Sequence, residues 1–159
     1  MSTTTIFHVS LVLHIIGITM MAGTTLADAI TYKQFWKYLQ IDKQKAILIN
    51  SVSAKFPRFI GIGAGLLILS GVSMVASLHG VVAEQIWFRI KMTLVLLAIL
   101  NGLLIARPQA LKLKKMLASD LISNSSNEFV IIKKRITAIL TIQMILLLVI
   151  FIFSVFRFN

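Results

Sequence analysis

Inside its long apolar runs this chain offers few residues for chemistry: His14, Asp28, Asn101, Arg89 and Lys91. An ionisable group in such a run is costly to keep, so each is a functional candidate. His14 stands about 12 Å along a helix from Ile6, near the middle of its run. A neutral imidazole there can ligate a haem iron, relay a proton, or hydrogen-bond a neighbouring helix. His14, Gly17, Met21, Thr24 and Asp28 recur at heptad-like spacing and predict one inward-facing stripe. Lys91 falls about 6 Å inside the run that opens at Trp87. With Arg89 it either snorkels to the surface or neutralises carboxylates near that end. Asp28 suits an ion pair with Arg58 or Arg107, or a proton relay. Asn101, Thr137, Thr141 and Gln143 are expected to hydrogen-bond other helices. His8 lies about 240° around the helix from His14, so the two cannot share a face. His8 and His79 are both expected at the outer surface, where no ligand role is needed to explain them.

Four apolar runs must position these groups. They cover about 6–29, 58–78, 87–106 and 136–156. Each has the ~20 residues that ~30 Å of hydrocarbon requires of a helix. Mean hydropathy is +0.93, and 58% of the 159 residues are hydrophobic. A soluble domain of this size cannot hide that much apolar surface. The expected architecture is all-α: an integral membrane up-down four-helix bundle, one domain over 1–159.

The net charge of +11 is placed unevenly. Lys33, Lys37, Lys43, Lys45, Lys55 and Arg58 surround the first connection, and Arg107, Lys112, Lys114, Lys115, Lys133, Lys134 and Arg135 the third. By the positive-inside rule these two connections are cytoplasmic, which places the N-terminus and C-terminus outside. The basic connections are expected to rest on anionic headgroups of a bacterial inner membrane. No nucleic-acid partner is expected, because the cations lie at membrane ends and no binding module accompanies them. A cleaved signal peptide before Ala27-Asp28-Ala29 is disfavoured by the missing basic n-region and the length of the apolar run. Cysteine is absent, which excludes disulfides, iron–sulfur clusters and thiolate metal sites.

The first helix is predicted to run past the bilayer, with Tyr32, Phe35, Trp36 and Tyr38 at headgroup depth. Ile41, Leu48, Val52 and Phe56 alternate with lysines in an amphipathic interfacial helix. Pro57 fits the first turn of the second span. In that span Gly61 and Gly65 form a GxxxG pair, the expected packing face. The short turn near His79–Ile86 predicts that spans two and three are antiparallel neighbours. Arg107-Pro108 is expected to end span three, and a second cationic amphipathic stretch follows. Ser123-Asn124-Ser125-Ser126-Asn127 marks a break before the last helix.

Leu13-His14-Ile15-Ile16 with Met21-Ala22-Gly23, and Trp87-Phe88-Arg89-Ile90-Lys91 before a leucine-rich run, resemble the membrane-type protoporphyrinogen oxidase family. The wider grouping includes the membrane part of copper-resistance D proteins. Pro57 and Gly71 suit the same pattern. The resemblance implies haem b ligated by His14, Lys91 beside the tetrapyrrole as a catalytic group, and porphyrinogen oxidation. Met20-Met21 stands where the family has aromatic residues, and Asn101-Gly102 where relatives show Tyr-His. A second axial ligand would then come from Met20, Met21, Met74 or a partner chain.

The functional expectation is a haem- or porphyrin-associated redox protein, with His14, Arg89 and Lys91 holding the cofactor. The alternatives are a non-catalytic membrane subunit or scaffold, as a homo-oligomer or with a partner membrane protein, and a small transporter subunit relaying protons through Asp28 and His14. No phosphate loop, metalloprotease motif, serine elbow or pair of membrane carboxylates is present.

Overall fold

The computed structural model describes residues 2–78, 84–118 and 127–155. The described residues are all helical apart from short connections: α1 (Thr3–Tyr38), α2 (Lys43–Ser53), α3 (Phe56–Ser77), α4 (Ile86–Leu100), a π-helical segment (Asn101–Ala106), α5 (Arg107–Ala118) and α6 (Asn127–Val155). Four helical stretches are long and apolar enough to cross a membrane. The chain positions expected for a break at 123–126, and His79, lie outside the described residues.

Local chemistry sets the helix ends. Ser2 caps α1 by accepting from the Thr5 amide at 3.3 Å. Asp42 caps α2 by accepting from the amides of Gln44 and Lys45. Pro57 stands in the first turn of α3, where its missing N–H costs nothing. Thirty-six residues make α1 about 54 Å long, well beyond ~30 Å of hydrocarbon.

Arg107-Pro108 does not end the third long helix. The chain widens into the π-helical segment, and α5 continues through Pro108. The Arg107 amide donates to Gly102 O, five residues back. In a regular helix the proline ring would strike the carbonyl one turn earlier, and the wider turn relieves that conflict.

The helices run up and down, and the closely packed pairs are α1 with α3, α4 with α6, and α1 with α6. α3 and α4, expected as antiparallel neighbours, are not among the closely packed pairs; most of the connection between them, 79–83, lies outside the described residues. The packing glycines also differ from expectation. A Cβ built on Gly17 would lie 2.9 Å from Gly63 O, and one on Gly63 would lie 2.9 Å from Gly17 O. Gly61 and Gly65 meet nothing within 4 Å. The residue between them faces α1, because a helix turns each position about 100° from the last.

The apolar core sits at the Tyr38 end. There Phe35 and Trp36 of α1, and Leu39 just after it, pack against Ala46 of α2, Leu113 of α5, and Phe129 and Ile132 of α6. Trp36 meets Phe35 and Phe129 edge-on, at centroid distances of 4.6 and 5.5 Å. Tyr32, Phe35 and Trp36 are therefore packed inside the protein. Helices α2 and α5 fold over the end of α1 and cover them. On α2 the inward face is Ala46 and Ser53, which leaves Leu48 and Val52 exposed; Ile41, exposed too, precedes the helix.

Candidate functional site

The expected stripe on α1 holds at His14, Gly17 and Met21, but beyond them Thr25 is the buried residue, while Thr24 and Asp28 are only partly buried. Ser10, Gly17, Met21 and Thr25 are buried, and His14 is half-buried. Opposite them, α3 presents Ser73, Ser70 and Gly63 in descending order, as antiparallel helices require. Ser10 Oγ donates to Ser73 Oγ at 2.8 Å, and His14 Nδ1 lies 2.9 Å from Ser70 Oγ. A Cβ on Gly71 would stand 3.7 Å from His14 Cε1, so the ring abuts α3. The seam is thus closed by glycine contact at one level and by side-chain hydrogen bonds at the next.

Beside this seam, α1, α3, α4 and α6 enclose a cavity of about 90 Å³. His14, Lys91 and Ser154 line it together with apolar residues and the methionines Met21 and Met92, and the surface turned to the space is almost entirely apolar. The cavity sits where α3 and α4 fail to pack. Ile68 on α3 and Met92 on α4 line it and are each 49% exposed, so they flank an opening on the outer surface of the bundle.

The structure brings His14 and Lys91 together and does not bring Arg89 with them; Arg89 is exposed and lies off the cavity wall. Among Met20, Met21 and Met74, Met21 alone lines the cavity. His8 is exposed near the start of α1, against the edge of Phe7. Asp28 is about 21 Å along α1 from His14, so the two do not form one relay. Its Oδ1 is buried with no hydrogen-bond partner, and neither Arg58 nor Arg107 pairs with it. Among the described residues no group of three His, Cys, Asp or Glu side chains could hold a metal ion.

Asn101 hydrogen-bonds across the bundle to another helix, as expected. Its Nδ2 donates to Gln143 Oε1 at 2.9 Å and to Ile139 O at 3.3 Å, both on α6. Thr137 and Thr141 turn back onto their own helix, donating to Lys133 O and Thr137 O. A threonine hydroxyl finds a carbonyl one turn earlier without needing a second helix. In the sequence Ser70 is one of several small residues of one helix, and only the register of α3 against α1 singles it out.

The residues around the cavity include the types a haem would need, an imidazole at His14, a thioether at Met21 and a cation at Lys91, but the surface they turn to the cavity is almost wholly apolar. The enclosed space is below the ~300 Å³ at which pockets for larger ligands begin. A macrocycle would enter only by its edge, with the rest lying in the opening between α3 and α4. Comparison with protein-family models, with curated proteins and with solved structures finds no match for this chain.

Proposed function

We propose that this chain is a four-span protein of a bacterial inner membrane that holds a tetrapyrrole, haem b or a porphyrin, and acts as a redox protein on it. Both termini are external in this reading, and the exposed lysines of α2 and α5 rest on anionic headgroups. The observation that carries the reading is one apolar cavity shared by His14 and Lys91. Haem b would supply one-electron chemistry at its iron. The chain's own part is to ligate through His14, to hold a carboxylate or a proton at Lys91 Nζ, and to exclude water with the apolar wall. Arg89, outside the wall, would reach only a carboxylate extending to the rim.

Absorption spectra of the detergent-purified protein, from cells supplied with haem, test this. A Soret band that shifts on dithionite reduction and is lost in His14→Ala is expected. A flat spectrum overturns the proposal.

A second reading, a non-catalytic subunit or scaffold, draws on Gly61 and Gly65. A Cβ at either would meet no described residue within 4 Å, which leaves a shallow strip open on α3. A second copy or a partner membrane helix would occupy it. That reading expects a colourless protein whose oligomer or partner is lost in Gly61→Leu.

A further inference from the structure

His14 meets α3 through its Nδ1 edge, and that contact decides what its other nitrogen can do. Ser70 Oγ lies 2.9 Å from Nδ1. The same hydroxyl lies 2.5 Å from Leu66 O and 3.2 Å from Leu67 O. A hydroxyl has one proton to give and two lone pairs to offer, whereas a backbone carbonyl only accepts. Two oxygens 2.5 Å apart with no proton between them repel, and with one they form a short hydrogen bond. The Ser70 proton is therefore committed to its own helix. Toward His14 the hydroxyl has only a lone pair left, so the proton of that bond belongs to the imidazole. A neutral ring with its proton on Nδ1 has a bare Nε2.

We propose that Ser70 is a positioning residue that holds His14 in the Nδ1–H tautomer and so keeps Nε2 as a lone-pair donor within the bundle. The arrangement is the one by which ligating histidines are oriented, the second nitrogen donating to a fixed acceptor. It also selects among ligands. Nε2 takes a Lewis-acidic metal or an N–H or O–H donor, and it refuses a carbonyl or carboxylate oxygen. Lys91, with donors and no acceptor, takes the carboxylate. A tetrapyrrole offers both kinds of partner, with a metal or pyrrole N–H at its centre and a carboxylate at its edge. The choice of ligand rests on the tetrapyrrole reading above; the tautomer does not.

The test needs no ligand. A His8→Asn/His79→Asn background leaves His14 as the sole histidine. With ¹⁵N-histidine label in lipid nanodiscs, at a pH above the ~6.5 of free imidazole, the two ring nitrogens report the tautomer directly. The expected spectrum has a pyrrole-type Nδ1 and a pyridine-type Nε2, the reverse of the form free histidine prefers. Ser70→Ala should release the ring toward Nε2–H, and Ser70→Thr should restore Nδ1–H. A pyridine-type Nδ1 in the wild-type ring overturns the proposal, and so does a Ser70→Ala spectrum unchanged from it. Should Ser70→Ala fail to fold, the wild-type spectrum decides alone. Adding haem to the same sample separates the two claims. Nδ1–H with no Soret band keeps the tautomer and removes the tetrapyrrole; a Soret band with the opposite tautomer does the reverse.

Discussion

The two ends of this bundle are held together by different physics. Toward the start of α1, the contact with α3 is a seam of small and polar residues: Ser10 on Ser73, His14 on Ser70, Gly17 on Gly63. Toward Tyr38, the same helix is wrapped by large rings and aliphatic side chains from α2, α5 and α6. Lipid tails are as apolar as leucine, so spanning helices gain little by burying leucine against each other. Close backbone approach and interhelical hydrogen bonds hold them instead. Where helices leave the hydrocarbon, water restores the drive to bury apolar area. The contrast also explains where the cavity is. Aromatic packing fills the Tyr38 end, whereas the seam joins α1 and α3 and leaves α4 apart from α3.

The sharpest way to break the seam is to add atoms where backbones touch. Gly17→Leu or Gly63→Leu drives a side chain into a carbonyl 2.9 Å away that cannot step aside. The cost should exceed the ~3 kcal/mol typical of overpacking, and little folded protein should survive extraction in mild detergent. Gly61→Leu, two residues from Gly63 on an open face, should stay within about 0.5 kcal/mol of the wild type. Equal losses at Gly61 and Gly63 would show that the seam is not where this register puts it.

The opposite end breaks by subtraction. Trp36→Ala removes a ring in contact with Phe35 and Phe129 and should cost ~3–5 kcal/mol, read as a fall in Tm by circular dichroism. Because the core and the cavity are separate, the His14 ring nitrogens should keep their wild-type signals in this variant. A changed His14 spectrum would mean that the two ends are one cooperative unit.

An intermediate effect is expected at Asn101 and Gln143, the polar contact that joins α4's continuation to α6. Asn101→Leu leaves Gln143 Oε1 buried without its donor and should cost about 1–2 kcal/mol. Adding Gln143→Leu should return part of that loss, because the orphaned group is gone. A double mutant as unstable as the sum of the singles would remove this bond from the account.

How much of this was readable beforehand follows from the same division. Run length alone marks four helices, since hydrocarbon thickness acts on each helix separately. The inward stripe through His14, Gly17 and Met21 follows from helical periodicity, whereas depth from the run's edge, about 12 Å for His14 and about 6 Å for Lys91, does not say that the two line one cavity. What periodicity does not carry is the register of one helix against another. Gly61 and Gly65 have the spacing of a packing motif, but Gly63 makes the contact. Ser70 looks like any small residue until α3 is set antiparallel to α1 with Ser73 at Ser10. Tyr32, Phe35 and Trp36 have the composition of an interfacial belt. They are core because α2 and α5 return over them, a long-range fact with no local signal. The π-helical segment had a local cause in Pro108, but the proline predicts only that something must yield.

The smallest expected effect sharpens the comparison from outside both regions. Asp42 caps α2, the helix that covers the aromatic end. The Lys45 amide is the main reason that its carboxyl titrates below the usual 3.8, helped by the Lys45 side chain and the Gln44 amide. A carboxyl whose folded pKa is depressed stabilises the fold fully above its unfolded pKa, and the stabilisation is lost as pH falls through the folded value. Asp42→Ala should therefore lower the Tm slightly at neutral pH and make no difference once the medium is acid enough to protonate the wild-type cap. Hydrogen exchange should show the loss in α2 amides and none in the α1–α3 seam. If faster exchange spread to Ser10, His14 and Gly17, the two ends would not be independent, and the division between a wrapped end and a seamed end would have to be given up.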